Sequence, residues 1–291
     1  MHTVKAKGIL SAKGGFNLYR GCEHGCIYCD SRSLCYQMQH DFEDIEVKEN
    51  AIELMEQTLR RRKKRCMLST GAMSDPYMPL EKTLGYMQKV LVLIERYGFG
   101  INILTKSSLV LRDLELLKKI HKKTKCVVQM TLTTYDEKLC KILEPNVATT
   151  KERLEVLKIL HDHHIPTIAW LCPFLPFIND TEENIMGLLN GCINAGVHGI
   201  LCFGIGLTLR EGSREYFYQQ LDKHFPSLRQ KYHQTYGNAY IINSPTDQSL
   251  MHLLKTECRK NNILFGTTEI FQYLNTFEDK YSPAQISFDE L

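Results

Sequence analysis

Short apolar segments alternate with amphipathic segments along most of the chain, and this alternation limits the fold more than any other feature of the sequence. Six segments rich in β-branched or aromatic residues predict strands: 16–20, 66–70, 101–105, 126–133, 167–172 and 199–205. The intervening segments carry apolar residues at three- and four-residue spacing, which predicts helices: 47–63, 80–97, 112–122, 149–163 and 181–195. Repeated strand and helix units of this kind predict a parallel sheet.

The connections between parallel strands are right-handed and curl such a sheet toward a barrel. We therefore predict an α/β fold, a partial TIM-like (β/α)6 barrel, over residues 16–210, preceded by an N-terminal segment, 1–15. Residues 211–233 and 246–260 have helical patterns, which predicts a C-terminal helical extension over 211–291 packed on the barrel. No Gly/Ser-rich linker separates the two parts. In such barrels the active site lies at the C-terminal ends of the strands.

Three cysteines follow the first predicted strand. Cys22, Cys26 and Cys29 are separated by three and then two residues. Thiolates are the ligands that iron–sulfur clusters and zinc select. Three thiolates hold three corners of a four-iron cluster and leave one iron open, which suggests chemistry rather than electron transfer alone. Gly21 and Gly25 suit a loop that must turn sharply and approach a cluster closely.

Two other uses of these cysteines remain open at this point. A zinc site would need a fourth ligand such as Cys35 or His24, but structural zinc loops usually come as two paired clusters, and the chain has no second CxxC. A disulfide framework fits less well, because the 11 cysteines are scattered, odd in number and mostly embedded in apolar segments. Buried free thiols of a reducing compartment explain those other cysteines better.

The segment YRGCEHGCIYC resembles the cluster loop of radical S-adenosylmethionine (radical SAM) enzymes, whose pattern is CxxxCxxC with an aromatic residue before the third cysteine, here Tyr28. Further segments resemble the branch of that superfamily related to spore photoproduct lyase: STGAMSDPYMPLE (69–81), ILTKSSLVLRDLELL (103–117), TLTTYDEKLCKILEP (131–145) and LCFGIGLTLREGSREYFY (201–218). They occur in the same order as in that branch, and the resemblance covers most of the chain. It also implies a partial barrel of six units.

The resemblance implies that Cys22, Cys26 and Cys29 bind a [4Fe–4S] cluster whose open iron holds S-adenosylmethionine (SAM). Reduction by an electron donor such as flavodoxin or ferredoxin then cleaves SAM, and the resulting 5′-deoxyadenosyl radical abstracts hydrogen from a substrate. The sequence does not identify that substrate, and nucleic acid or a nucleotide is one candidate by analogy with the lyase. The alternative is a non-catalytic iron–sulfur or zinc-binding protein that uses the barrel as a binding module.

The resemblance also assigns residues to SAM. Lys106, just after the third predicted strand, and Ser74 match residues that contact SAM in spore photoproduct lyase, and Tyr28 would lie beside the adenine. Thr131 and Thr133 share one face of the fourth predicted strand, because side chains alternate along a strand. If that face points into the barrel, the two hydroxyls meet the SAM ribose. The other interpretation is that β-branched threonines simply suit strands.

One position departs from the lyase pattern. Spore photoproduct lyase has a hydrogen-donating cysteine two residues before the SAM-contacting serine, and the corresponding residue here is Ala72. We therefore do not expect true spore photoproduct lyase activity. Cys172 and Cys202, at the ends of the fifth and sixth predicted strands, could offer a thiol instead, although a small apolar core residue is the commoner role of such a cysteine. Catalytic residues beyond the cofactor contacts stay unassigned.

Charge and hydropathy narrow the partners and the location. The formal net charge of +3 does not by itself indicate a polyanionic partner. Basic runs at 60–65 and 118–125 lie at predicted helix C-termini, where the helix dipole favours cations, so we interpret them as solvated faces rather than a phosphate track. No apolar run approaches the roughly 20 residues of a membrane span, and the first residues lack a secretion signal. We expect a cytoplasmic protein with no membrane partner.

Overall fold

The computed structural model describes residues 1–71 and 73–280, so Ala72 and the last part of the predicted C-terminal extension lie outside the described residues. In chain order the strands are β1 (His2–Val4), β2 (Gly15–Phe16), β3 (Tyr19–Arg20), β4 (Glu46–Lys48), β5 (Met67–Thr70), β6 (Gly100–Thr105), β7 (Cys126–Leu132), β8 (Thr167–Leu171), β9 (Gly199–Leu201), β10 (Gly206–Thr208), β11 (Ile241–Asn243) and β12 (Leu264–Phe265). The central sheet has the order β12-β9-β8-β7-β6-β5-β2. All of its neighbouring strands are parallel.

Helices connect the parallel strands. They are α1 (Ala51–Arg61), α2 (Glu81–Leu84), α3 (Tyr86–Tyr97), α4 (Leu114–Lys123), α5 (Glu137–Leu143), α6 (Thr150–Asp162), α7 (Glu182–Asn194), α8 (Ser213–His224), α9 (Leu228–Tyr236), α10 (Asp247–Lys260) and α11 (Thr267–Asn275). Side chains that accept hydrogen bonds from free backbone amides cap the starts of α5, α6 and α7; these are Asp136, Thr149 and Thr181. The predicted α/β fold with a partial TIM-like barrel is confirmed.

The two faces of the sheet pack against different partners, because side chains alternate along each strand. On the outer face, residues such as Ile103, Met130 and Leu171 belong to the main core that includes the connecting helices. On the inner face, Val127 and Ile168 pack in a separate cluster with Ile270 and Leu274 of α11 and with Leu201. The Asn102 side chain donates a hydrogen bond of 2.7 Å to the backbone oxygen of Leu274. Helix α11 therefore fills the inner face near the beginnings of the strands.

The structure differs from the expected elements in several places, and three of these concern the central sheet and its connecting helices. The first predicted strand divides into β2 and β3, because the chain leaves the central sheet after Phe16 and β3 pairs antiparallel with β4. The helix predicted over 80–97 is interrupted at Gly85, which has a φ of +61° and separates α2 from α3. The third difference is a seventh parallel strand, β12, which pairs with β9 and for which the sequence carried no prediction.

The basic runs lie at the edge of the sheet opposite the cysteine loop. Helix α1 ends at Arg61 and α4 at Lys123, and each helix leads into the beginning of a strand. Carboxylates neutralise several of these cations: Lys123 lies 2.5 Å from Glu95, and Arg65 lies 3.8 Å from Asp279. This placement agrees with a solvated face that compensates the helix dipoles. Among the described helices, none has both the length and the hydropathy that crossing a bilayer requires.

Candidate cluster and cofactor site

The three cysteines lie on a loop between β3 and a short 3-10 turn, beside the C-terminal ends of β5, β6 and β7. Cys22 and Cys26 are buried, Cys29 is half-buried, and all three line a cavity of about 80 Å³. The loop needs glycine at Gly21, whose φ is +86° and where a Cβ atom would lie 2.5 Å from the backbone oxygen of Phe42. The start of the cysteine loop therefore packs closely against the backbone at Phe42.

The spacing of the thiols separates the two candidate metals. In the described residues, a set of three ligand atoms from His, Cys, Asp or Glu within 4.8 Å of one another occurs at His2, His40 and Asp44 but not at the cysteines. A tetrahedral zinc ion with bonds of about 2.3 Å would bring its sulfurs within roughly 4 Å of one another. The three sulfurs are therefore not all within 4.8 Å of one another, a spacing that suits a four-iron cluster, because such a cluster binds each thiolate at a separate corner.

The surroundings of the thiols also fit a cationic cluster. Burial raises the pKa of Cys22 to about 12, and the negative charge of Asp75 adds to this effect. Burial likewise raises the pKa of Cys26. Both groups must nevertheless lose their protons to bind metal. A buried thiolate needs positive charge close by, and the iron ions of a cluster supply it. The donor set and its burial therefore fit a [4Fe–4S] cluster.

His24, between the first two cysteines, anchors the loop instead of completing a zinc site. Its Nε2 atom lies 2.9 Å from Oδ2 of Asp75, and its Nδ1 atom lies 3.2 Å from the backbone oxygen of Asn146. Asp75 also accepts hydrogen bonds of 2.7 Å from the Thr105 hydroxyl and from the Lys106 backbone amide. Burial alone would raise the pKa of Asp75, but the paired His24 outweighs it and the pKa is lowered. This carboxylate therefore joins the cluster loop to the ends of two strands.

A second buried network holds Tyr28, the aromatic residue before the third cysteine. The Tyr28 hydroxyl donates to Glu144 and lies 3.1 Å from the Thr133 hydroxyl. Arg153 of α6 donates to the same carboxylate and, over 2.6 Å, to the backbone oxygen of Thr131. The side chains of Glu144 and Arg153 are fully buried. Burial pushes the pKa of Glu144 up, but the charge of Arg153 outweighs it and holds that pKa below its usual value.

The sequence patterns did not predict this buried network. Glu144 precedes a proline, and a residue in that position is also typical of the end of a helix. One feature of the sequence could have predicted the network, and this is Arg153. It lies three residues before Val156 and four before Leu157, so all three side chains share the buried face of α6. A cation on the apolar face of an amphipathic helix predicts a buried partner, because unpaired charges are rarely buried.

The structure brings together four of the five residues predicted to contact SAM. Tyr28, Ser74, Lys106 and Thr131 line the cavity that the cysteines face. Thr133 is fully buried beneath them, and its hydroxyl bonds to Tyr28 and Glu144 instead of facing the cavity.

Lys106 carries the positive charge of the cavity. Its Nζ atom lies 5.8 Å from the centre of the Tyr28 ring. Burial lowers the pKa of Lys106, but the negative charges of Cys26 and Glu144 outweigh this and raise it above its usual value. The amine is therefore protonated and suited to bind a carboxylate.

A larger cavity of about 490 Å³ continues from the cluster cavity and shares Tyr28, Cys29, Lys106 and Thr131 with it. This volume is in the range of small-molecule sites. Of the two candidate thiols, Cys172 lines this cavity. The Cys202 sulfur instead lies 3.6 Å from the sulfur of Met251, in the core between β9 and α10.

Comparison with known families identifies the class of protein. The family model described as Radical SAM superfamily matches residues 16–189, which is more than half of the chain. The chain therefore belongs to the radical SAM superfamily, and its cofactors are a [4Fe–4S] cluster and SAM. The family that the cysteine loop predicted is confirmed.

Curated relatives carry no functional name. An uncharacterised protein of Mycobacterium tuberculosis (strain ATCC 25618 / H37Rv) is 29% identical over 226 residues, which cover 76% of this chain and 66% of that protein, just under two thirds of its length. An uncharacterised protein of Methanocaldococcus jannaschii is 32% identical over 176 residues, covering 60% of this chain and 65% of that protein.

Solved structures of spore photoproduct lyase have a similar fold. A mutant of that enzyme with bound AdoMet and dinucleoside spore photoproduct superposes with a TM-score of 0.59 at 14% identity, covering 84% of this chain and 72% of that chain. The lyase complexed with dinucleoside spore photoproduct gives a TM-score of 0.60 at 13% identity, covering 86% and 75% of the two chains. At this identity the likeness shows the fold alone.

Proposed function

We propose that the protein reductively cleaves SAM and uses the resulting 5′-deoxyadenosyl radical to abstract hydrogen from a substrate. The observation that carries the proposal is the continuity of the two cavities: Cys29 and Lys106 line both the space around the thiols and the larger space above the sheet. A cofactor held at the cluster would therefore lie beside a cavity that can also admit a substrate. An electron donor such as flavodoxin or ferredoxin belongs to this proposal.

Different residues around the cavity would hold different parts of the cofactors. Cys22, Cys26 and Cys29 would hold the cluster, and Lys106 would pair with the SAM carboxylate. Tyr28 presents its ring to both cavities while its hydroxyl is fixed below. When bound, the cluster and SAM together supply a carbon-centred radical, and the protein supplies their orientation and the exclusion of water.

The experiment that tests this function is the conversion of SAM by the anaerobically reconstituted and reduced protein. We expect formation of 5′-deoxyadenosine and methionine, measured by chromatography against a sample without reductant. A folded protein with a full complement of iron and sulfide that forms no 5′-deoxyadenosine would overturn the proposal and favour a binding module.

Replacing Lys106 with methionine is expected to weaken SAM binding strongly while the cluster still assembles. Hydrogen bonds to charged groups contribute about 1.5–3 kcal/mol, which corresponds to roughly 10- to 150-fold in the dissociation constant. Equilibrium dialysis of labelled SAM against the reconstituted protein measures this constant. Lys138→Met is the matched control, because Lys138 is exposed on α5 and lines neither cavity. Unchanged SAM affinity in Lys106→Met would contradict the assigned role.

The similarity to the lyase structures makes nucleic acid or a nucleotide a candidate substrate. One of those structures is complexed with dinucleoside spore photoproduct. The basic runs that would track phosphates lie at the opposite edge of the sheet from the cavities. A nucleic acid would therefore have to reach the site without them, and the lining of the cavity itself must decide which substrate fits.

A further inference from the structure

The part of the larger cavity that lies away from the cluster is nearly uncharged. The residues that line the larger cavity but not the cluster cavity are Asp30, Tyr36, Trp170, Cys172, Pro173, Phe203, Gly204, Gly206, Leu207, Thr208, Ile241 and Asn243. We call this set the distal end. It contains no lysine or arginine and a single carboxylate, Asp30. That carboxylate already accepts hydrogen bonds of 3.0 Å from Tyr36 and 3.1 Å from Ser33.

Trp170 and Phe203 place two packed aromatic rings in the distal end. The Trp170 indole is fixed by a 2.9 Å hydrogen bond from its Nε1 atom to the side-chain oxygen of Gln129. The Phe203 ring packs edge-on against it, with the ring centres 5.6 Å apart. Phe203 is 57% exposed and Ile241, which lines the same cavity, is 61% exposed. Exposed apolar side chains gathered in one cavity indicate a ligand that covers them.

The hairpin of β10 and β11 adds two polar side chains to the distal end. Asn243 and Thr208 lie on its two strands, and both line the cavity. Within residues 1–71 and 73–280, the Asn243 side-chain amide makes no hydrogen bond. An amide offers both donors and an acceptor, so it can pair with the polar edge of a planar ring.

We propose that the distal end binds the substrate through a flat, uncharged aromatic or heteroaromatic ring that lies against Trp170 and Phe203. The inference rests on the proposed function, because that function makes this cavity the substrate site. Stacking on aromatic side chains favours flat rings.

Beside the distal end, Arg210 is already engaged: its guanidinium lies 3.5 Å from Asp30 and donates hydrogen bonds to the hydroxyls of Tyr36 and Tyr240. A phosphate group in the distal end would therefore be an anion without a cation of its own, which is costly to bury. Any phosphate on the substrate therefore stays outside the distal end.

Binding of simple ring compounds to the SAM-loaded, cluster-reconstituted protein tests this inference. The probes are indole, thymidine and thymidine 5′-monophosphate, measured by anaerobic equilibrium dialysis. We expect saturable binding of at least one of the two uncharged rings, and weaker binding of the monophosphate than of thymidine wherever thymidine binds. Absence of saturable binding by both rings, or tighter binding of the monophosphate, would overturn the inference.

Substitutions at the aromatic surface test whether the ring compounds bind there. Phe203→Ala is expected to weaken ring binding about tenfold, and Phe203→Leu, which keeps apolar volume without a ring, is expected to weaken it less. Tyr135→Ala is the matched control, because Tyr135 is 54% exposed and lines neither cavity. Equal affinity in wild type and Phe203→Ala would overturn the assignment of this surface.

The same samples separate this inference from the proposed function. Formation of 5′-deoxyadenosine by a protein that binds neither ring would leave the proposed function standing and the ring site refuted. Ring binding that depends on Phe203, in a protein that never cleaves SAM, would refute the proposed function and leave the ring site in place.

Discussion

The Cys22→Ala variant is expected to lose the cluster, and with it all detectable cleavage of SAM, while the protein stays folded. Two thiolates cannot replace the three corners that a four-iron cluster needs from this loop. The fold does not depend on the thiol, because the Cys22 backbone amide keeps its 3.2 Å hydrogen bond to Phe42 whatever the side chain. Iron and sulfide content, 5′-deoxyadenosine formation and circular dichroism measure the three properties separately.

Cys35→Ala is the control for this variant, and it also tests the zinc alternative. Cys35 is exposed, lines neither cavity and interacts with Arg210 at 3.3 Å. We expect it to keep both the cluster and SAM cleavage. Loss of the metal in both variants, with one zinc ion per wild-type chain, would instead make Cys35 the fourth ligand of a zinc site and contradict the cluster.

Replacing Arg153 with methionine is expected to lower the free energy of unfolding by about 3–5 kcal/mol, because it leaves the Glu144 carboxylate buried without its cation. The double variant Glu144→Gln with Arg153→Met should recover most of this loss. A neutral amide can still accept hydrogen bonds from Tyr28 and Thr133, and neither residue of the pair then carries an unpaired charge. Urea denaturation of the iron-free protein measures both variants on one scale.

An exposed ion pair provides the comparison for that experiment. Lys158 lies 3.0 Å from Asp162 on α6, and both side chains are about half exposed. Lys158→Met is expected to change the free energy of unfolding by less than about 1 kcal/mol, as surface pairs generally do. If Arg153→Met lowered the free energy of unfolding by no more than Lys158→Met does, the inference that the buried pair stabilises the fold would be wrong.

Much of the barrel could be predicted because its signals are local. Strands such as β6 and β8 are short apolar runs between amphipathic helices, and each pattern lies within about ten residues of the chain. Helix α11 and β12 escaped prediction for the opposite reason. Their partners are β9 and the inner face of the barrel, far away in the sequence. A short apolar stretch shows that it will be buried but not which surface will bury it.

The residues of the candidate site also divide into those that local patterns predict and those that they do not. Lys106 and Thr131 follow or end predicted strands, so the parallel sheet brings them to one edge. Thr133 shares a strand face with Thr131, and alternation alone predicted the same environment for both. The structure separates them because Tyr28 and Glu144, 105 and 11 residues away, occupy the Thr133 hydroxyl. No local pattern contains that information.

The sequence by itself determined the family and the cofactors, because the spacing of three cysteines and the residue before the third are properties of one short loop. Only the tertiary structure decided what surrounds that loop: the buried pair of Glu144 and Arg153 beneath it, and a distal end lined by the Trp170 and Phe203 rings and by no lysine or arginine. The physical reason is distance along the chain. Trp170, Phe203 and the β10–β11 hairpin meet at one cavity only when parallel strands are aligned, so the substrate site is a product of packing.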